Sequence, residues 1–289
     1  TARAGASPSV AAFPVTLERS DGNSLTLTAA PKRFVSLSPG ATEILYALGA
    51  QSELAAVDKQ SDFPDAAKNF PTKLDAFSPN VEAIAALKPD LVFVTGNEGG
   101  LIDALDRLSI PVLFSDLNEV KTLDDVYGQI TLLGKASGKD AEATALVASL
   151  KARAKKVTDA VQDVTPAQAP TVYHEVDDTY FTASDGSFIG NLYTLLHAKN
   201  IAGDGGGSPY PQLTAEKIIA ANPSVVVLAD EAFGTTVDSV KQRPGWQTIA
   251  AVKNNAIFSI DPDISSRAGP RIINALEQLA KDIYPQRFK

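Results

Sequence analysis

The sequence predicts an α/β protein with two Rossmann-like lobes of parallel sheet flanked by helices. Strand and helix patterns alternate along the chain, one long helical pattern interrupts them at mid-chain, and one segment recurs on either side of it. Alternating strands and helices are typical of parallel sheets covered by helices on both faces. A chain of 289 residues is long enough to build two such lobes.

The first half of the chain has the pattern of a hairpin followed by strands and helices in alternation. Apolar and polar residues alternate over 16–28 around a Ser-Asp-Gly-Asn turn, which predicts the hairpin. Helices are expected where apolar residues recur at helical spacing and strands where short apolar runs are bounded by turn residues. The predicted strands are 33–38, 54–57, 91–95 and 111–115, and the predicted helices are 41–48, 80–87 and 101–108.

A single long helix is predicted at mid-chain. Residues 139–163 contain no Gly or Pro, and apolar residues recur there every three or four positions. About 25 residues at 1.5 Å each give a helix near 37 Å long. It is a candidate spacer between the lobes, although an ordinary long helix packed on one sheet is the alternative. The expected organisation is a flexible tether 1–12, an N-terminal lobe 13–137, a connecting helix 138–165 and a C-terminal lobe 166–289.

After the long helix, the alternation of strands and helices starts again. The predicted strands are 171–175, 225–228 and 256–260, and the predicted helices are 188–197, 215–221 and 270–283.

An internal repeat supports the two-lobe prediction. Residues 78–94 align without gaps with residues 212–228, at an offset of 134 throughout. Each copy has a turn, a glutamate in the first helical turn, an apolar helix, a proline and a valine-rich strand. Glu82 and Glu216 occupy equivalent positions. A glutamate there could serve only the helix dipole, or the pair could fit a partner with two basic sockets.

Composition excludes several classes of protein. The net charge of −8 argues against a nucleic-acid partner. The chain has no cysteine, which excludes disulfides, thiolate metal sites and a cysteine nucleophile, and no methionine, which predicts processing at its N-terminus. No apolar run reaches the length of about 18 residues that a membrane-spanning helix needs.

Motifs of catalysis are absent from the sequence. It contains no Gly-x-Ser-x-Gly and no Walker sequence. The glycine-rich segment 203–207 lacks a following Lys-Ser/Thr and comes after a predicted helix, so a flexible loop is expected. His174 and His197 lack metal-binding spacing, and the aspartates at 177–178 and 261–263 lack that of an EF-hand. We therefore predict no enzyme, no catalytic residues, no metal site and no intrinsic cofactor.

The candidate ligand-binding residues lie mostly in strand-to-helix loops. Ligands of open α/β sheets bind beyond the carboxyl ends of the strands. Aromatic rings there offer large faces, and the fork of Arg267 suits carboxylate, amide or phosphate oxygens. Asp263 and Arg267, four positions apart, could instead pair with each other. The predicted ligand-binding residues are Pro39, Gly40, Gln60, Phe77, Asn97, His174, Tyr210, Asp263 and Arg267.

Residues 33–43 resemble the opening strand and loop of the helical-backbone (class III) solute-binding proteins. These proteins serve ABC importers of cobalamin, haem and ferric siderophores. Further matches follow in the same order, at 61–64, 87–92, 209–212 and 267–272. The resemblance implies two lobes joined by one long helix, with the ligand in the cleft between them. It also implies that Glu82 and Glu216 dock onto arginines of the importer's membrane subunits.

The same resemblance implies a location outside the cytoplasm, in the periplasm or on the outer face of the cell membrane. A monomer is expected, with lipid anchoring through a residue upstream of this chain as a further expectation.

Within that family, the residues resemble the cobalamin binders most. The run 263–271 is similar to their ligand loop, with Asp263 and Arg267 in ligand-contacting places, and Tyr210 matches a cleft tryptophan. Phe77 stands beside the place of another expected tryptophan, and Gln60 replaces an aromatic residue. The expected ligand is therefore a cobalt corrinoid.

A haem or a ferric siderophore is the alternative ligand. Haem would need a donor such as Tyr210 or His174, and a siderophore would be served by Arg267. An enzyme on the same two-lobed scaffold would need cysteine or histidine ligands for a metal cluster.

Overall fold

The computed structural model describes residues 13–288, so the predicted tether 1–12 lies outside the described residues. The chain divides into two compact units. The N-terminal unit comprises the described residues up to Val120, with Asp124–Leu150 and Ala268–Pro270. The C-terminal unit comprises Lys121–Leu123, Lys151–Arg267 and the described residues from Arg271 onward.

Every strand and helix predicted from the sequence is present, with each end within two residues of its predicted place, except that the connecting segment predicted as 138–165 extends four residues past the end of its helix at Val161. The strands are β1 (Val15–Glu18), β2 (Ser24–Leu27), β3 (Phe34–Leu37), β4 (Leu54–Asp58), β5 (Lys73–Leu74), β6 (Leu91–Val94), β7 (Val112–Phe114), β8 (Thr171–Glu175), β9 (Lys199–Asn200), β10 (Val225–Leu228) and β11 (Ile257–Ser259). The helices are α1 (Pro39–Ala47), α2 (Asp65–Lys68), α3 (Val81–Ala86), α4 (Leu101–Arg107), α5 (Leu123–Ser137), α6 (Asp140–Val161), α7 (Phe188–Leu195), α8 (Ala215–Ala221), α9 (Val237–Lys241), α10 (Ala250–Lys253), α11 (Pro262–Ser266) and α12 (Ile272–Ile283).

The N-terminal unit is built on a parallel five-stranded sheet in the order β5-β4-β3-β6-β7. All residues of the adjacent inner strands β3 and β6 are buried, as expected for a parallel sheet covered on both faces. The β1–β2 hairpin is antiparallel, and its turn packs on the end of β7, where the main-chain N–H of Ser20 donates to the carbonyl of Phe114 (3.0 Å).

The C-terminal unit is built on a parallel four-stranded sheet in the order β11-β10-β8-β9. Its hydrophobic core includes the fully buried Tyr173, Ile218, Val226 and Trp246. The four strands follow the same order as β7-β6-β3-β4 of the N-terminal unit, so the two sheets share one topology.

The two copies of the internal repeat form the same helix and strand at a constant offset. Strand β10 lies 134 positions after β6 at both ends, and α8 begins 134 positions after α3. The helix caps also correspond, because the side chain of Asn80 accepts from the N–H of Ala83 and that of Thr214 accepts from the N–H of Lys217. The repeat seen in the sequence is therefore a repeat of structure.

The long mid-chain helix is α6, with 22 residues and a length of about 33 Å. The sequence did not predict the 15-residue helix α5 before it. The two helices are separated at Gly138, whose φ of +73° is unfavourable for other residues. The division between the two units falls inside α6, after Leu150.

No helix among residues 13–288 combines the length and the apolar character needed to span a membrane.

Candidate ligand-binding site

The exposed large hydrophobic side chains are distributed unevenly in the described part of the chain. Seven are exposed, and six of them lie on segments that connect the carboxyl end of a strand to the next helix. The exception, Leu108, lies on the helix-to-strand connection between α4 and β7. The carboxyl ends of parallel strands meet at one edge of a sheet, called here the carboxyl edge. The six residues are Phe63, Phe77 and Leu117 in the N-terminal unit, and Phe181, Tyr210 and Phe233 in the C-terminal unit.

Two predicted residues of the N-terminal unit, Gln60 and Phe77, lie on loops held by one buried carboxylate, that of Asp58 at the end of β4. Its Oδ1 accepts from the N–H of Gln60 (2.8 Å) and its Oδ2 from the N–H of Ala76 (3.1 Å). Burial raises the pKa of Asp58. Phe77 itself is 76% exposed. Asp58, which the sequence did not indicate, therefore fixes both loops while their side chains stay accessible.

A chain of buried hydroxyl groups fixes the loop after β4 to the start of α1. Ser61 donates to Thr42 (3.0 Å), and the Thr42 hydroxyl, which has one hydrogen to donate, lies within hydrogen-bonding distance of the Ser36 hydroxyl (2.9 Å) and the Ser38 carbonyl (3.0 Å). The predicted residue Asn97, on the loop after β6, is exposed, and its side-chain oxygen accepts from the N–H of Ile102 (2.9 Å).

Pro39 and Gly40 form the first turn of α1, which begins directly after β3. Ser38 is the N-cap, and Pro39 occupies a position where no N–H is needed. Gly40 is buried, and a Cβ built on it would lie 2.7 Å from the main-chain oxygen of Ala268. Gly40 therefore permits close packing of α1 on the segment Ala268–Pro270 of the same unit.

In the C-terminal unit, Tyr210 lies on an irregular ribbon with the segment that follows β8. Phe181 pairs with Gln212 in antiparallel fashion, and the N–H of Ser184 donates to the carbonyl of Pro209 (2.9 Å). Side chains two positions apart in such a pairing point to the same face, which makes Phe181 and Tyr210 diagonal neighbours. Both are exposed. The sequence had not indicated Phe181, because the pairing joins segments about thirty residues apart.

An ion pair between a buried carboxylate and a partly buried guanidinium supports this ribbon. Glu175, at the end of β8, accepts two hydrogen bonds of 2.6 Å from Arg243. The guanidinium of Arg243 also lies over the rings of Trp246 (4.7 Å) and Tyr180 (5.4 Å). Bidentate pairing and ring contacts hold the guanidinium in one geometry. Arg243 thereby links the end of β8 to the loop that carries Phe181.

His174 is completely buried in β8, unlike the other predicted residues of this unit. Its Nδ1 lies 2.6 Å from the hydroxyl of Tyr193. Burial lowers the pKa of His174 to about 4, so the ring is neutral at physiological pH. His197, at the end of α7, is exposed on a helix-to-strand connection.

Asp263 and Arg267 lie in and directly after the short helix α11, next to β11. Their side chains form an ion pair of 2.7 Å. The contact considered from the sequence is thus present, and one oxygen of Asp263 orients the guanidinium of Arg267.

The glycine-rich segment predicted as a loop forms a 3-10 turn, Gly205–Gly207. The expectation that it follows a helix was wrong, since the two-residue strand β9 lies between α7 and this turn. Among residues 13–288, no three or more acidic or histidine side chains are grouped as a metal site would require.

Glu82 and Glu216 lie in the first turns of α3 and α8, and both are exposed. The pKa of Glu216 is lowered by its own main-chain N–H and by the Thr214 hydroxyl, which keeps its carboxylate charged. The two carboxylates occupy equivalent positions of the repeat, one in each unit.

Comparison with known proteins gives a family match over most of the chain. The model of a family described as periplasmic binding protein matches residues 34–264. An uncharacterized ABC transporter substrate-binding lipoprotein of Bacillus subtilis (strain 168), YvrC, is 34% identical over 283 residues, which cover 96% of this chain and 88% of that protein.

Two further similarities concern proteins with a named ligand. A vitamin B12-binding protein of Pectobacterium carotovorum subsp. carotovorum (strain PC1) is 28% identical over 258 residues, covering 88% of this chain and 89% of that protein. The crystal structure of a possible iron-binding (periplasmic solute-binding) protein of Staphylococcus epidermidis ATCC 12228 superposes with a TM-score of 0.76 at 28% identity, covering 89% of this chain and all of that chain.

Proposed function

The chain belongs to the periplasmic binding protein family, and from that premise we propose that it binds a cobalamin-type corrinoid outside the cytoplasm and delivers it to an ABC importer. Proteins of this family are the substrate-binding components of ABC transporters and are not enzymes. The distribution of exposed apolar side chains carries the proposal: within residues 13–288, six of the seven large ones lie on strand-to-helix connections. Each of the two units carries three such residues.

The chemistry available at the carboxyl edges favours a ligand whose metal needs no donor from the protein. The sequence has no cysteine or methionine, one of its two imidazoles is buried in β8, and the other lies on a helix-to-strand connection. Partial burial raises the pKa of Tyr210, which disfavours the phenolate that ferric iron would bind. A corrinoid already holds its cobalt in a macrocycle. The vitamin B12-binding relative supports the same assignment.

A ferric chelate is the second candidate. The structural similarity to a possible iron-binding protein supports it, and Arg267 offers a guanidinium to anionic or carbonyl oxygens of such a ligand. We propose Arg267 and Tyr210 as ligand contacts in either case, with Gln60, Phe77 and Asn97 as the contacts from the N-terminal unit.

Calorimetry and absorbance spectroscopy with hydroxocobalamin, haemin and a ferric hydroxamate siderophore test the ligand. We expect hydroxocobalamin to bind most tightly. Tyr210→Ala should weaken its binding about tenfold because an aromatic face is lost, whereas Tyr210→Phe should bind like wild type.

The matched control is Leu108→Ala, which removes an exposed apolar side chain from a helix-to-strand connection and should leave affinity unchanged. Binding of haemin alone, with loss of that binding in Tyr210→Phe, would show iron ligation by the phenolate and contradict the corrinoid assignment. A wild-type chain that binds none of the three compounds would contradict both candidates.

A further inference from the structure

The loop after β10 carries the most exposed large hydrophobic side chain of the described residues, Phe233, which is 83% exposed. The sequence did not indicate it as a site residue. It stands at the end of a single 3-10 turn, Glu231–Phe233, between β10 and α9. An isolated exposed apolar residue is common on protein surfaces. Its position in the repeat and the way its loop is held distinguish Phe233 from such a residue.

The repeat makes the Phe233 loop the counterpart of the loop that carries Asn97. Strand β6 corresponds to β10 at an offset of 134, and each strand is followed by one 3-10 turn, Glu98–Gly100 in the N-terminal unit and Glu231–Phe233 in the other. The two loops therefore leave equivalent points on the carboxyl edges of their sheets. If the loop of Asn97 contacts the ligand, its counterpart occupies the corresponding place in the C-terminal unit.

The loop is held at both ends while its tip is left uncovered. Asp230 and Thr235 are buried on either side of the turn, and the Thr235 hydroxyl donates to Asp230 Oδ2 (2.7 Å). The N–H of Phe233 donates to the carbonyl of Asp230 (2.9 Å), and Gly234 adopts a φ of +111°, which reverses the chain directly after the ring. Thr236 then caps α9. A ring presented on a fixed loop loses little conformational freedom when it is covered.

From these observations we infer that Phe233 is a further ligand-contacting residue, which places its ring against an apolar face of the transported chelate. The inference rests on the proposed function, because the occupant is the same small molecule. Phe233 and Phe77 are then the most exposed aromatic contacts of the two units, at 83% and 76%. Such rings select ligands with a broad apolar face, such as the macrocycle of a corrinoid, over compact hydrophilic chelates.

Substitution of Phe233 tests the inference in the full chain, with hydroxocobalamin as the probe and isothermal calorimetry as the readout. Phe233→Ala should weaken binding about tenfold, Phe233→Leu should restore part of the affinity and Phe233→Trp nearly all of it, since area and ring shape both contribute. Leu108→Ala is the matched control. Because Phe233 is exposed, the variants should unfold at the wild-type temperature, as followed by circular dichroism.

Each alternative result has a definite meaning. Wild-type affinity in Phe233→Ala overturns the assignment and leaves the proposed function standing. Wild-type affinity combined with impaired delivery to the importer also overturns it, because Phe233 would then contact the transporter. Failure of the wild-type chain to bind hydroxocobalamin, haemin or a ferric siderophore overturns the proposed function and this inference together.

Discussion

At the scale of single residues, His174 shows how burial sets the charge of a side chain. The imidazole lies inside β8 beside the Tyr193 hydroxyl, and its Nε2 has no hydrogen-bond partner among the described residues. Burial lowers its pKa to about 4, whereas the unfolded chain takes up the proton near the ordinary value of about 6.5. Between these two pH values the unfolded state binds more protons, so the free energy of unfolding decreases as the pH falls.

We expect this histidine to remove about 3 kcal/mol from the free energy of unfolding between pH 7 and pH 4, at about 1.4 kcal/mol per unit of pKa difference. The double variant His174→Phe with Tyr193→Phe replaces both polar partners by apolar rings of similar shape. It should lose that part of the pH dependence while folding normally at pH 7. Urea denaturation of both proteins at several pH values measures the difference. Equal slopes would contradict the assignment of a buried neutral imidazole.

The residue scale is also where the sequence predicted least. It indicated the strand-to-helix loops of Gln60, Phe77, Asn97 and Tyr210, because the end of a strand can be recognised from its pattern. Exposure of one side chain depends on packing, which the pattern does not contain. His174, at the end of an apolar strand, was therefore a candidate although it is buried, and the exposed Phe233 was not.

At the scale of elements, helix α7 depends on one glycine. A Cβ built on Gly190 would lie 2.0 Å from the main-chain oxygen of Ser184 and 2.8 Å from the Cα of Asp185. These are backbone atoms of the segment that leads from the Phe181 ribbon into α7, so a side chain at 190 would push that segment away. The close approach of α7 thus fixes the position of the ribbon.

Gly190→Ala should lower the free energy of unfolding by about 2 kcal/mol or more, because the methyl group has no space. Gly128→Ala is the matched control within α5, where a Cβ would meet nothing within 4 Å. There alanine should stabilise the protein by about 0.5–1 kcal/mol, as expected from helix propensity. Chemical denaturation measures both, and destabilisation of similar size in both variants would contradict this account.

Glycine content explains why the long helix α6 could be predicted from the sequence and α5 could not. Helix α6 has neither Gly nor Pro, and its spacing is that of a helix. Helix α5 contains Gly128 and Gly134, and glycines weaken a helical pattern in the sequence. Gly134 is needed for tertiary packing, because a Cβ there would lie 2.4 Å from the Cβ of Ala143. The two-residue strands β5 and β9 are too short to leave a pattern.

At the scale of the whole molecule, the repeat gives each unit one exposed glutamate at an equivalent helix start. A glutamate in the first turn of a helix stabilises it by only about 0.3–1 kcal/mol, so a transport assay can separate a docking role from a structural one. We propose that Glu82 and Glu216 contact basic residues on the membrane subunits of the importer. The offset of the repeat was visible in the sequence alone. The matching helix caps and strand bounds explain why the two glutamates occupy the same structural place.

The combined variant Glu82→Arg and Glu216→Arg should abolish delivery of ligand to the importer reconstituted in liposomes, because both charges are reversed. Its affinity for ligand should stay within about twofold of wild type, since neither residue lies on a strand-to-helix loop with exposed aromatics. The matched control is the double variant Glu18→Arg and Asp238→Arg, which changes the net charge by the same amount at exposed positions outside the repeat. Equal transport by the two double variants would contradict the docking role.

The constant offset of the repeat also has an evolutionary consequence. Caps, buried helix residues and strand bounds correspond between α3–β6 and α8–β10, while the loops that follow differ in side chains: at the offset of 134, Asn97 corresponds to Glu231 and Gly99 to Phe233. This is the pattern expected from duplication of one ancestral segment, in which the backbone frame was kept while side chains of the helix, the strand and the following loop changed. In such a chain, one copy can acquire new ligand contacts while both retain the frame, so a change of cargo requires few substitutions.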